Sequence, residues 1–367
     1  MTPVRVGVVG VGLMGGSLGM ALRRFGGAAE VVGVVRTPDE AARAVEAGAI
    51  DRGSPSPEIL AGCEVVVLAT PVEAILPVLE RCLPFIPPSA AVTDVGSVKT
   101  EICRGAWARL GRQGPAFVGG HPMTGSERTG VDQADPYLFQ HAVYVLCPPP
   151  AGTPGGPEAT ARVRSLVASV GAEPVVLEPE EHDGLVAAVS HLPHVAAAAL
   201  VLSLEGTSSP WVDRLAAGGF RDTTRIASGD PALWRQILLA NREAILQQAG
   251  AFRSALDRLV QALAHADGEE LGRLLEEAVQ RRRQVTRNAR GLLAPHPELI
   301  VRVPDEVGAI HQVTGVLAGA GVNLADIEIL RVREGEGGSV RIALESESER
   351  DRAREVLERA GYWARVR

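Results

Sequence analysis

The stretch VRVGVVGVGLMGGSLGMALRR, residues 4–24, decides the fold. Its first six residues, Val4–Val9, are a short β-branched apolar run of the kind that forms a buried strand. Gly10-Val-Gly12-Leu-Met-Gly15 follows at once, and a helical segment from Met14 to Arg24 opens behind it. Between a strand and a helix each glycine has a task. Gly10 makes the tight turn, Gly12 lets the backbone approach a pyrophosphate, and Gly15 lets helix and strand touch. The phosphates of a dinucleotide then rest at the helix N-terminus, beside Leu13 and Met14. The same stretch superficially mimics a signal peptide, but no basic leader precedes it, and the expected location is the cytoplasm.

Outward from this turn, short strands alternate with helical stretches: Val31–Val35, Glu64–Ala69, Ala91–Asp94, Phe117–Gly119, Ala142–Leu146 and Pro174–Leu177. Such alternation predicts parallel βαβ units in a doubly wound, Rossmann-like α/β sheet. The proline-rich segment 148–157 is a loop inside this first domain. About 20 residues past the glycines, a carboxylate would hold a ribose 2′-hydroxyl. Here the strand ends in Val35-Arg36-Thr37, with no carboxylate at that place. The Arg36 guanidinium suits a 2′-phosphate, so NADP is expected over NAD; if Arg36 only stacks on adenine, the enzyme is dual or NAD-preferring. Thr37 and the pair Thr70-Pro71, which follows the strand Glu64–Ala69, are placed with the cofactor.

After residue 180 the strand signal stops, and helices are expected over 182–204, 231–264 and 268–290. Asp230-Pro231 supplies an N-cap and a first-turn proline for the second of these. Helices this long are expected to pack against a second copy, making a homodimer. The run Val195–Leu204 is about half of the ~20 residues that a membrane span needs and reads as a buried helix. Beyond a linker at 294–297 the pattern becomes βαββαβ, a ferredoxin-like plait. The expected domains are therefore 1–178, an all-α domain 179–294, and 297–367.

Composition excludes several classes. The chain has 367 residues, 46% apolar and 22% charged, which fits neither disorder nor a membrane protein. With 37 basic against 44 acidic residues and 4% aromatics, it lacks the footprint of a nucleic-acid binder. Arg281-Arg282-Arg283 reads as a solvated helix face. Cys63, Cys82, Cys103 and Cys147 form no CxxC pair and have no histidine at ligand spacing, so neither a disulfide framework nor a metal site is expected. Lys99 is the single lysine.

Polar residues cluster in loops after later strands, where open α/β sheets place ligands. These are TDVGSVK at 93–99 and GGHPMTGSE at 119–127; two further clusters, SHLPH at 190–194 and GGFRDTTRIA at 218–227, follow in the helical part. With the glycine-rich turn, and in this order over residues 4–294, they resemble the prephenate and arogenate dehydrogenases. The last 70 or so residues resemble an ACT domain, a module that binds amino acids, through Asp305-Glu-Val-Gly308 and Gly321-Val-Asn323.

The resemblance implies oxidative decarboxylation of prephenate to 4-hydroxyphenylpyruvate in tyrosine biosynthesis. That chemistry needs a proton acceptor for the ring hydroxyl, a cationic clamp for a dicarboxylate, and a cofactor held against the substrate. His121 is the expected acceptor, since a neutral imidazole can take a proton. Ser97 matches the family serine that contacts the hydroxyl and the nicotinamide side, a role compatible with capping a helix at Val98. Arg225 matches the arginine that holds the ring carboxylate, the other reading being a surface pair with Asp222. Asp222 would orient that region, with Arg221 and Trp234 as further contacts. Ser126 and Glu127 flank the histidine, and His191 and His194 are candidates for the side-chain carboxylate. Lys99 would serve the phosphates or an aspartate. In the ACT segment, Asp305, Gly308 and Asn323 mark an effector site, with tyrosine as the expected ligand. Arogenate differs from prephenate only in an amino group and is not distinguished. A β-hydroxyacid dehydrogenase would need a lysine in the helical domain, which this chain lacks after residue 99. A catalytically silent NADP sensor would lack His121 or Arg225.

Overall fold

Val4–Val9 forms strand β1 at the middle of the larger sheet, because its valines find apolar partners on both faces. In the computed structural model, residues 4–111, 114–125, 128–207, 209, 211–289, 297–304, 306–330 and 338–366 are described. The chain divides into one unit up to Ala255 and a second from Leu256. In the first, β1 is joined by β2 (Ala28–Val34), β3 (Arg52–Ser54), β4 (Val65–Leu68), β5 (Ala91–Asp94), β6 (Ala116–Pro122), β7 (Val143–Cys147) and β8 (Glu173–Val176). Their order across the sheet is β3-β2-β1-β4-β5-β6-β7-β8.

One face packs Val6, Val8, Val65 and Val67 against Leu18 and Leu22 of helix Leu13–Arg24 and Val163 and Val167 of helix Gly156–Ser169. The other packs Val66, Leu68, Val92 and Phe117 against Ile75 and Leu79 of helix Val72–Cys82 and Ile102 of helix Thr100–Leu110. Each such side chain, removed from water, contributes roughly 1.5–3 kcal/mol relative to exposure. The four cysteines are free and buried.

The all-parallel expectation is corrected at one edge. β7 pairs antiparallel with β6, and β8 then runs parallel to β7. Among its described residues the link from Pro122 to Val143 contains only a short 3-10 turn, Val131–Gln133. Without a crossover helix the chain returns alongside β6 in the opposite sense. β3 was not expected: three residues, Arg52-Gly-Ser54, carry no apolar signal.

The helical part of this unit begins with Pro179–Val186, passes through a π-turn at Ala187–His191, and continues as Leu192–Leu202. Pro193 has no N–H to donate, and its ring crowds the carbonyl four residues back, so the helix widens there. The run Val195–Leu204, expected to be buried, is mostly not: Ala197 is buried, but Val201 and Leu202 are 43% and 68% exposed, because among the described residues no element covers their side of the helix. By length and composition Pro179–Glu205 could cross a membrane, yet His182 and Asp183 near its start and His191 at its middle are hydrogen-bonded to neighbours within the unit. The helix expected over 231–264 is broken at Asn241 into Pro231–Ala240 and Arg242–Ala264. The Asn241 amide donates to the Asp183 carbonyl at 2.8 Å and faces His191 Nδ1 at 3.0 Å.

The second unit holds the end of helix Arg242–Ala264, helix Gly268–Ala289, and the plait: β9 (Glu298–Val303), helix Ala309–Gly319, β10 (Asp326–Leu330), β11 (Gly338–Ala343), helix Glu347–Arg359 and β12 (Ala364–Val366). Its sheet order is β10-β11-β9-β12, antiparallel throughout. Leu299, Val301, Val340 and Ile342 pack against Val313, Leu317, Ala353 and Leu357. On the opposite face Arg341 pairs with Glu298, Asp326 and Glu328.

Candidate active site

The carboxyl ends of β1, β4, β5 and β6 lie in register along one sheet edge, so the loops leaving them share a crevice. At β1, Gly10 sits at φ +90°, where a side chain is strained, and a Cβ on it would lie 2.7 Å from the Ala69 carbonyl oxygen. A Cβ on Gly15 would lie 2.1 Å from the Gly10 oxygen. Above Gly12, by contrast, no atom comes within 4 Å of such a Cβ. The helix behind it, Leu13–Arg24, starts without a side-chain cap. Bare amides at a helix N-terminus fit a pyrophosphate. Thr70, at the end of β4, has a buried hydroxyl with no hydrogen-bond partner among the described residues, and Pro71 precedes helix Val72–Cys82. The residues present therefore fit a dinucleotide.

At the end of β2 the sequence reading is corrected. A carboxylate does reach this position: Glu40 bonds the Arg36 backbone N–H at 2.9 Å and its guanidinium at 2.5 Å. Thr37 caps helix Pro38–Glu46 by accepting from the Glu40 N–H, which turns Glu40 back one helical turn onto Arg36. The guanidinium is 89% exposed, so it remains accessible on its outer side.

Below β5 and β6 a cleft of about 650 Å³ is bordered by Ser97, His121, Thr124, Ser190, His191, Arg225, Asp230 and Trp234 among others. Asp94 and Lys99 hold its floor. They form an ion pair with both side chains fully buried. Asp94 accepts from the Gly96 and Gly120 N–H groups at 2.8 and 2.9 Å, and Lys99 Nζ donates to the Gly120 carbonyl at 2.8 Å. Gly120, the residue before His121, is thus gripped through both its N–H and its carbonyl, and the lysine serves an aspartate. Ser97 borders the cleft but caps no helix. The helix starts at Thr100, and its first amides, Lys99 N and Thr100 N, donate to Asp183 at 2.7 and 2.8 Å.

His121 Nδ1 lies 2.8 Å from His182 Nε2, and His182 Nδ1 lies 2.8 Å from Asp183 Oδ1. Burial, then the neighbouring His182, Lys99 and His191, hold the His121 pKa well below that of a free imidazole, with Asp183 acting the other way. His121 is therefore neutral at neutral pH and can accept a proton. Burial would raise the Asp183 carboxyl, but hydrogen bonds from His182, Thr100 and Lys99 outweigh it and hold the pKa below its usual range. His191 is pushed down to about 4, chiefly by burial.

Arg225 reaches the cleft, and among the described residues it forms no pair with Asp222. Trp234 stands between two histidines, edge-on to His191 and stacked on His194 at 3.6 Å between ring centroids. That stack places His194 behind the indole rather than on the cleft wall, and burial lowers its pKa. Arg221 and Asp222 are exposed on helix Gly218–Thr224 and do not border the cleft. Ser126, Glu127 and Asp305 lie outside the described residues. Gly308, at φ +87°, precedes helix Ala309–Gly319, and Asn323 faces Glu345 at 3.5 Å. Sequence reasoning missed Glu40, His182, Asp183 and Asn241.

Residues 18–177 match the family model described as prephenate dehydrogenase, nucleotide-binding domain, and residues 178–277 the prephenate dehydrogenase dimerization domain. The chain belongs to the prephenate dehydrogenase family. Residues 298–361 match the ACT domain. A prephenate dehydrogenase of Bacillus subtilis is 35% identical over 97% of this chain and 96% of its own length. The family fold is also that of the Aquifex aeolicus prephenate dehydrogenase, solved with hydroxyphenyl propionate and NAD+. It has a TM-score of 0.71 and 33% identity, covering 78% of this chain and 99% of that one. Synechocystis arogenate dehydrogenase gives a TM-score of 0.68 at 35% identity, over 77% and 99%. The nicotinamide-binding fold, the helical domain and the ACT plait read from the sequence are thus those of the family.

Proposed function

We propose that the chain oxidatively decarboxylates prephenate to 4-hydroxyphenylpyruvate, passing hydride to a nicotinamide dinucleotide, as a cytoplasmic homodimer. What carries the reading is His121: a neutral imidazole, gripped through Gly120, facing a cleft that also holds Ser97 and Arg225. The bound dinucleotide supplies the hydride acceptor. His121 takes the proton of the ring hydroxyl as the hydride leaves the same carbon. Ser97 hydrogen-bonds that hydroxyl and fixes its direction. Arg225 holds the ring carboxylate with a planar, two-pronged donor. The ring carboxylate then departs as CO₂, and its bonding electrons complete the aromatic ring. His191, neutral and with Nδ1 turned to Asn241, offers its other ring nitrogen to the side-chain carboxylate.

Arogenate is the second reading, favoured by Asp230. This carboxylate borders the same cleft while capping helix Pro231–Ala240, and it suits the amino group that arogenate carries. For the cofactor, Arg36 offers its guanidinium to a 2′-phosphate, against competition from Glu40. The uncovered apolar stripe Leu246, Phe252, Leu256, Val260 and Leu263 on helix Arg242–Ala264 supports dimerisation. The domains are assigned as 1–178, 179–294 and 297–367, the last binding tyrosine near Gly308 and Asn323 as a feedback inhibitor.

The test is reduced-cofactor formation with prephenate or arogenate and NAD+ or NADP+, each with and without tyrosine. Prephenate turnover is expected, with tyrosine inhibition that disappears when residues 296–367 are removed. His121→Asn should lower kcat on the order of 10²–10⁴-fold. A wild-type rate in that variant would overturn the base assignment, and turnover of arogenate alone would move the enzyme to the second reading.

A further inference from the structure

The residues behind His121 decide which of its nitrogens is the base, an inference that rests on the reading of His121 as proton acceptor. Asp183 is buried, and both its oxygens are occupied by N–H donors from the start of helix Thr100–Leu110, Lys99 N at 2.7 Å and Thr100 N at 2.8 Å. An ionised carboxylate only accepts hydrogen bonds. His182 Nδ1, 2.8 Å from Asp183 Oδ1, must therefore carry a proton. A neutral His182 then has its lone pair on Nε2, and His121 Nδ1, 2.8 Å away, must donate to it. The single proton of neutral His121 is thereby committed to Nδ1, and Nε2 is left with the lone pair.

We propose that His182 and Asp183 are positioning residues that lock His121 in the Nδ1–H form, so that its Nε2 receives the proton of the substrate hydroxyl. When Nε2 is protonated, the positive charge on the ring is one imidazole away from the Asp183 carboxylate, which stabilises it. His182 is fully buried and touches the substrate in no part of this scheme; it acts through His121. The anchor is remote in sequence but rigid in space, since the helix amides hold Asp183 and Asn241 holds its backbone carbonyl.

The experiment uses the full-length protein with prephenate and saturating NAD+ or NADP+. His182→Leu removes the acceptor at Nε2, whereas His182→Gln places an amide oxygen near that point. Expected are a kcat about 100-fold lower in the leucine variant, an unchanged KM for the dinucleotide, and recovery to within about tenfold in the glutamine variant. Side-chain ¹⁵N NMR of the labelled protein reads the tautomer directly, the His121 signals being those lost in His121→Asn. The wild-type protein should show Nδ1–H, and His182→Leu should show Nε2–H or a mixture. A wild-type ring protonated on Nε2 overturns the proposal without a variant having to fold. So does a leucine variant with unaltered rate and tautomer, or a glutamine variant that folds and recovers nothing. Failure of the base assignment itself is separate: it appears as activity retained in His121→Asn.

Discussion

Replacing Lys99 with methionine tests the grip on the catalytic loop. The lysine side chain is fully buried against Asp94, and its ammonium also donates to the Gly120 carbonyl. Methionine fills a similar volume but removes the charge, which strands a buried carboxylate and leaves the carbonyl without that donor. Removing one partner of a buried pair costs about 3–5 kcal/mol, far more than the ~1 kcal/mol of an ordinary hydrogen bond. Taking about 4 kcal/mol, and about 2–4 °C per kcal/mol for a unit of this size, the melting temperature should fall by roughly 8–16 °C. Differential scanning fluorimetry measures that shift. Steady-state kinetics at a temperature where the variant is still folded should show kcat falling more than KM rises, because Gly120, the residue before His121, has lost one of its two anchors. A Tm within about 2 °C of the wild type, with kcat unchanged, would refute the argument that this pair bears on both stability and the position of His121.

Three further outcomes are expected. Gly12→Ala should leave the melting temperature unchanged but weaken dinucleotide binding, because its Cβ enters open space, whereas Gly15→Ala should cost at least about 1–3 kcal/mol, its Cβ meeting the Gly10 oxygen at 2.1 Å; cofactor fluorescence titration and thermal melts separate the two. Glu40→Gln weakens the tether on Arg36 and should raise the ratio of NADP+ to NAD+ affinity severalfold in equilibrium titration, an equal change for both dinucleotides counting against the 2′-phosphate role. His191 takes up a proton near pH 6.5 when unfolded but only near 4 when folded. Its contribution is thus complete above about pH 6.5 and is lost as pH falls toward 4, amounting to roughly 3 kcal/mol. A His191→Gln variant should show a correspondingly shallower acid loss in urea melts between those pH values.

Seven strands of the larger sheet, all but β3, were legible with the glycine turn and the plait because their signals are local: β-branched runs, turn glycines and helix starts. β3 was not, since an edge strand of three polar or small residues has no pattern to read. The sense of β7 depended on the described residues between Pro122 and Val143 forming no crossover helix, which composition alone does not reveal. Within the site, His121 and Arg225 stood out by their company in loops. His182 did not, for a geometrical reason. It lies nine residues before His191, and at about 100° per residue an unbroken helix would put the two on opposite faces. The π-turn at Ala187–His191 absorbs a residue and brings the separation to about 80°, so His191 borders the cleft while His182 lies on the same side, buried behind His121. Glu40 was overlooked because it belongs to the next helix, whose Thr37 cap returns it to the strand end.

The burial of Lys99 also sets how the protein meets electrophiles. As the chain's single lysine it is 0% exposed, so the folded surface presents no side-chain primary amine. Acylating metabolites, amine-directed cross-linkers and succinimidyl dyes find no lysine to modify until the sheet opens. Labelling at that one position is therefore a molecular clock for opening of the nucleotide-binding unit, with one ε-amine released per chain.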